Sequence, residues 1–140
     1  MKIMAIDLGE VRTGLAVCDK MELLSSPLDV IEEKDKDKLI SIIINKAKSM
    51  DIEQFVLGLQ RNMDGTEGKS AQNARDFKEK LESASGIKVD LHDERYTTIS
   101  AHGYLNETNT RGKKRKSIVD KISASIILDD YIRYKNRQSI

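Results

Sequence analysis

Apolar and polar positions divide the 140-residue chain into short stretches whose period switches between that of a strand and that of a helix. Residues 2–7 and 14–18 are apolar runs joined by a Gly-bearing turn, and they predict a hairpin. Leu23 to Val30 predicts a third strand, which the single proline, Pro27, restricts to a sheet edge or an interruption. After a charged connector, Glu32 to Lys38, the residues Leu39, Ile40, Ile43, Ala47 and Met50 recur at helical spacing and predict a helix of about four turns. Phe55-Val56-Leu57-Gly58-Leu59 is continuously apolar, as expected of a central strand buried on both faces. Beyond the polar loop Gln60 to Gly68, the stripe Ala71, Ala74, Phe77, Lys78 and Leu81 predicts a second helix, ended by Gly86 at C′. Ile87, Val89 and Leu91 then alternate with Lys88, Asp90 and His92, predicting a half-buried strand with His92 on its solvent side. Thr97 or Thr98 caps a short helix carrying Ile99 and Leu105. A final helix is predicted from the stripe Ile118, Val119, Ile122, Ile126, Ile127 and Ile132, with Ser117 to Asp120 as a variant capping box and Asp120 in the first turn.

The resulting order, β-β-β-α-β-α-β-α-α, is that of an α/β fold with a mixed central sheet flanked by helices. The length suits one domain over residues 1–140. Hydrophobic residues make up 39% and charged residues 34%, and the longest apolar runs are far too short to span a membrane. The chain opens directly on a strand pattern, without the features of a secretory leader. Cys18 is the only cysteine, so no internal disulfide can form, and a reducing cytoplasm is the expected setting. Cys18 itself reads as a small buried apolar group beside Val17.

A net charge of +1 says little about partners, but its distribution says more. Arg111, Lys113, Lys114, Arg115 and Lys116 place five cations within six positions, just ahead of the last helix. Such a run is either a solvated loop or a contact for nucleic-acid phosphates.

Three carboxylates stand out by position. Asp7 closes the first strand, Glu94 follows the last strand, and Asp120 lies on the final helix. With the first strand central, parallel neighbours would bring Asp7 and Glu94 to one sheet edge, and a helix packed there could add Asp120. Ser123 and Ala124 are small enough for close approach of that helix. Clustered carboxylates repel, so they protonate in part or hold a cation. An all-oxygen donor set favours Mg2+ or Mn2+ over zinc, as one ion or two. Such ions activate a water and neutralise the leaving oxygen of a phosphodiester. Each residue also has an ordinary alternative: Asp7 as a turn residue, Glu94 as a surface partner of Arg95, and Asp120 as a charge at a helix N-terminus. Only their joint arrangement favours chemistry. No phosphate loop, cysteine metal site or nucleophilic Ser–His–Asp pattern is present.

Four ordered blocks carry a resemblance to a known family: Asp7-x-Gly9-x-x-Arg12-x-Gly14, Asn62-Met63-Asp64-Gly65-Thr66-Glu67-Gly68, Asp93-Glu94-Arg95-x-Thr97-Thr98, and Val119-Asp120 followed by Ala124, Ile127 and Leu128. Together they resemble the YqgF/RuvX family over nearly the whole chain. The resemblance implies a ribonuclease H-like fold and a Holliday-junction resolvase-like nuclease, with 5′-end maturation of the 16S ribosomal RNA precursor as its task. It also implies that Asp7, Glu94 and Asp120 form the catalytic and metal-binding triad. Gln60-Arg61 departs from the apolar or proline-containing pair usual in the family, and Tyr96 stands where leucine is usual.

The expected function is therefore metal-dependent hydrolysis of phosphodiester bonds in structured nucleic acid. Arg12, Arg61, Arg95, Lys113, Lys114, Arg115 and Lys116 are the candidate phosphate contacts. Expected partners are precursor ribosomal RNA or branched DNA, and ribosomal precursor particles, for a monomer or homodimer. Two other classes compete. A non-catalytic RNA-binding assembly factor would keep the fold without cutting. An actin-like ATPase or sugar kinase shares the Asp-x-Gly hairpin but needs two lobes, for which the chain has no room.

Overall fold

The computed structural model describes residues 1–21, 25–59, 67–93 and 112–138, with side chains described from 122 to 136 in the last span. Five strands form one sheet: β1 (Ile3–Asp7), β2 (Arg12–Cys18), β3 (Ser25–Glu32), β4 (Gln54–Leu59) and β5 (Val89–Asp93). Their order is β3-β2-β1-β4-β5. The first three strands pair antiparallel, whereas β4 joins β1 in parallel and β5 joins β4 in parallel. The central position of β1 and the edge position of β3 both follow the sequence expectation. Pro27 pairs with Ala16 on that edge, where the register slips between Leu15 and Ala16. A bulge of this kind accommodates a residue that cannot donate to the ladder.

Helices α1 (Lys36–Ser49) and α2 (Lys69–Ser85) cover one face of the sheet. Asp35 caps α1 by accepting from the amides of Asp37 and Lys38, and the predicted stripe Leu39, Ile40, Ile43 and Ala47 is buried. Gly86 ends α2 in the left-handed conformation at φ 72°, the geometry that favours glycine at C′. Met4, Ile6, Leu15, Phe55, Leu57 and Val89 meet the two helices in one core.

The other face belongs to α3 (Gly112–Gln138), which packs on β1, β2 and β3 and reaches β4. Ala124, Ile127, Leu128, Tyr131 and Ile132 bury there against Ile3, Ala5, Ala16, Cys18 and Val56. Since β1 and β4 are covered on both sides, their continuous apolar runs have a direct cause. Cys18 is buried, as expected.

Two expectations for the last helix need correction. It begins at Gly112 rather than Ser117, so the basic run 113–116 forms its first turns instead of a preceding loop, and Asp120 lies in its third turn. Lysine and arginine are good helix formers, and an interior serine does not stop a helix. Of the expected stripe, Ile127 and Ile132 are buried, whereas Ile122 and Ile126 are only half-buried and Ser123, Ala124, Leu128 and Tyr131 lie inside instead, with the side chains of Ile118 and Val119 outside those described. Small residues at 123 and 124 let the backbone come close, so packing selects their side over the larger isoleucines. The short helix expected after Thr98 lies outside the described residues.

Candidate active site

Asp7 is the last residue of β1, at the carboxyl edge of the sheet, and is partly exposed. Ile3 and Ala5 pack toward α3, so strand alternation puts Asp7 on that same face. Across from it in β2 stands Gly14. The β1–β4 register, Ile6 beside Leu57, continues to Gly58 on the other side. Both strands flanking Asp7 thus present a buried glycine, so neither neighbour sets a side chain beside the carboxylate.

The turn after Asp7 is tightly built. A side-chain carbon at Gly9 would lie 2.1 Å from the Arg12 carbonyl oxygen, which no residue but glycine permits without a backbone shift. Lys36, the first residue of α1, donates from Nζ to the carbonyls of Gly9 at 2.7 Å and Glu10 at 3.1 Å. The hairpin is thereby tied to the helix below it. Arg12, a candidate phosphate contact, opens β2 immediately beyond this turn and pairs with Glu32 of β3.

Asp120 stands one turn before Ala124 on α3. One helical turn is about 5–6 Å of rise and two strand residues are about 7 Å. Asp7 and Asp120 are therefore each a short backbone step from the cluster shared by Ala5 and Ala124. The Asp120 side chain, those of Lys113, Lys114, Arg115 and Lys116, and all of Glu94, Arg61 and Arg95 lie outside what is described. Glu94 directly follows Asp93, which ends β5 on the same sheet edge as Asp7. Among the described residues, no three His, Cys, Asp or Glu side chains gather as a metal site.

Several features of this region go beyond what the sequence pattern predicts. His92 is not solvent-facing: its side chain is only 15% exposed. Its ring packs edge-on to Tyr131 at 5.9 Å and tilted to Tyr134 at 6.3 Å, because α3 covers the face that alternation marked as polar. Asp130 lies 3.8 Å from its Nε2. Arg75 on α2 donates from Nε and Nη2 to the two oxygens of Glu67, both at 2.7 Å, clamping the end of the polar loop onto the helix. Those hydrogen bonds, and then the charge of Glu67, raise the Arg75 pKa above its ordinary value. The Tyr131–Tyr134 spacing of i, i+3 marks one helix side and is the sequence signal for the aromatic contacts.

Comparison with known proteins adds identity to this geometry. Residues 1–134 match the family model described as RuvX, Holliday junction resolvase. A protein of Halothermothrix orenii named "Putative pre-16S rRNA nuclease" is 35% identical over 137 residues, covering 98% of each chain. One of the same name from Endomicrobium trichonymphae is 40% identical over 132 residues, covering 94% of each. Among solved structures, T. thermophilus RuvC in complex with a Holliday junction substrate superposes with a TM-score of 0.61 at 12% identity, over 96% of each chain. The fowlpox virus Holliday junction resolvase gives 0.55 at 12% identity, over 96% of this chain and 99% of that one. At such identities the structural likeness establishes the fold, which is ribonuclease H-like. The near-full-length family match and the relatives above 30% identity go further: the chain belongs to the RuvX family.

Proposed function

We propose that this chain is a metal-dependent nuclease that hydrolyses phosphodiester bonds in the 16S ribosomal RNA precursor, with Asp7, Glu94 and Asp120 as its catalytic carboxylates. The observation that carries the reading is the placement of Asp7 at the carboxyl edge of the central strand of a RuvX-family sheet, on the face that α3 covers. Relatives matched over nearly their full length are named for that RNA.

The residues fit a divalent cation. The donor set is all carboxylate, the class preferred by Mg2+ and Mn2+. When bound, one or two such ions supply an activated water and offset charge on the leaving oxygen. The chain's own part is positional. Gly9 and Lys36 hold the turn beyond Asp7, while Arg12 and the cations 113–116 are suited to draw the phosphate backbone across the sheet edge. No helix among the described residues is long and apolar enough to cross a membrane, which is compatible with work on cytoplasmic precursor particles.

The deciding experiment offers precursor 16S RNA, single-stranded RNA and four-way DNA junctions to wild-type protein and to Asp7→Asn, each with Mg2+. Cleavage of the precursor by wild type alone, with RNA binding retained in Asp7→Asn, is the expected result. Equal cleavage by both proteins would remove Asp7 from the mechanism. Preferential cutting of the four-way junction would favour the resolvase reading, and binding without any cleavage would favour an assembly factor.

A further inference from the structure

A cavity of about 510 Å³ opens at the carboxyl ends of β4 and β5, lined by Leu59, Arg75, Leu91, His92, Asp93 and Tyr134. It lies along the same sheet edge as Asp7. The register aligns Gly58 with His92, so His92 shares the row of Asp7 two strands away, about 10 Å across the sheet. The space is a half-open cleft rather than an enclosed cavity.

Its lining is of mixed character. Tyr134 leaves 54% of its surface exposed although Tyr131, one turn earlier on the same helix, is buried. His92 adds a second ring, held against both tyrosines. On the α2 side, the two bonds to Glu67 fix the plane of the Arg75 guanidinium. Leu59 and Leu91 supply an apolar floor, and Asp93 a carboxylate. An inorganic anion would have no use for the aromatic and leucine surface. An aliphatic ligand would make no use of the Arg75 plane or of the polar groups in the lining. A flat heterocycle with polar edges uses all of them: it stacks on tyrosine or on a guanidinium plane and hydrogen-bonds at its rim. A base inside a duplex has both faces already stacked and cannot enter.

We propose that this cavity receives an unpaired nucleobase of the substrate, close to the phosphate that is cut, with Tyr134 as the stacking platform and Arg75 as a fixed planar partner. The proposal rests on the nuclease reading and deepens it, because it makes a single-stranded nucleotide beside the cleavage point part of what is recognised.

Binding, which needs no cleavage, tests it separately from that reading. Fluorescence anisotropy in the Asp7→Asn background would compare short single-stranded RNA and DNA oligonucleotides with fully paired hairpins of equal length. Adding Tyr134→Ala should weaken single-strand binding by about tenfold, within the range for loss of one stacked base, and leave hairpin binding unchanged. Tyr134→Phe should restore single-strand binding to within about twofold of the tyrosine protein, since the ring is kept. Thermal melting of each variant checks that the exposed position is tolerated. Equal RNA and DNA effects would assign recognition to the base, and a larger RNA effect would add the ribose. Loss of affinity equal for single strands and hairpins, no loss in Tyr134→Ala, or no binding to any oligonucleotide would each overturn the proposal. Cleavage by wild-type protein decides the nuclease reading whichever of these is seen.

Discussion

The hydroxyl of Tyr131 on α3 donates to Asp90 Oδ2 on β5 while accepting from Gln54 Nε2 at 2.6 Å. Gln54 also donates to Asp90 at 2.8 Å, closing a three-membered network between helix and sheet. Tyr131 and Gln54 are 6% and 7% exposed, so this polar knot sits within the α3 interface. Apolar packing alone lets a helix slide by small steps, whereas directional bonds fix its position along the sheet. Ser25 does the same at the far edge, bonding Ser125 Oγ at 2.9 Å and Asp129 Oδ1 at 2.5 Å. These two anchors set where the earlier turns of α3, with Asp120, come to lie.

Tyr131→Phe should therefore lower unfolding free energy by about 2–4 kcal/mol, since it removes both the bond donated to Asp90 and the one accepted from Gln54. Urea denaturation measures it. Gln54 and Asp90 keep their mutual bond, so the protein should remain folded at room temperature. A fall in cleavage rate with unchanged substrate affinity would show that the anchor positions α3 for chemistry as well as for stability.

Gly9→Ala should be costlier than an ordinary turn substitution. The new carbon meets the Arg12 carbonyl at 2.1 Å, and the turn must open to admit it. We expect destabilisation by about 1–3 kcal/mol, as for overpacking elsewhere, read by chemical denaturation. Cleavage should fall more steeply than stability, because the displaced segment directly follows Asp7.

Thr13→Val should stabilise the protein. Thr13 is fully buried in β2, and its Oγ1 has no hydrogen-bond partner among the described residues. Replacing an unpaired buried hydroxyl by a methyl group of the same shape removes a desolvation penalty, worth about 1 kcal/mol here. A calorimetric melt comparing the two proteins would show the gain, and a lower melting temperature would contradict it.

Glu82 links α2 to the start of β5, accepting from the Val89 amide at 2.9 Å and from Lys78 Nζ at 3.1 Å. The Val89 bond first, and Lys78 second, hold its pKa below the ordinary glutamate value. A lowered folded-state pKa means that the carboxylate stabilises the fold above the unfolded value, about 4.3, and that this is lost as pH falls through the folded value. Wild type should thus exceed Glu82→Gln in stability at neutral pH, with the gap narrowing below about pH 4. Denaturation series at several pH values provide the measurement.

Neutralising Lys113, Lys114, Arg115 and Lys116 should weaken RNA binding and flatten its salt dependence. For every phosphate that these cations no longer neutralise, the log–log slope should become shallower by about 0.7–0.9. An unchanged slope would place these first turns of α3 away from the nucleic acid.

What is legible in the sequence is governed by local period and turn chemistry. The double-sided burial of Phe55 to Leu59, the α1 stripe and the Gly86 terminus all follow from neighbours within a few positions. Alternation misplaces His92 because it identifies two faces without saying what covers them, and the cover comes from residues forty positions later. The Glu67–Arg75 clamp is hidden for a related reason: its partners are eight residues apart, across a loop-to-helix junction with no fixed period. Ser117 fits a cap by its spacing to Asp120, yet the helical propensity of the preceding cations carries α3 past it. The position of Asp7 in the fold is readable, since a strand-end carboxylate before a glycine turn is a local pattern. Its placement on the α3 face depends on which residues pack, and that requires the assembled sheet.

Gly14 and Gly58 on either side of Asp7 mean that the strands next to this carboxylate offer it main-chain groups but no functional side chains. Whatever charge, acidity or selectivity distinguishes one member of such a family from another must then arrive from the helix above and the loops beyond the strand ends. The hydrogen-bonded frame can stay constant while its tenants are exchanged. A glycine-to-alanine change at either buried position would act differently, pressing a methyl group into the packed strands beside Asp7 without altering a single charge.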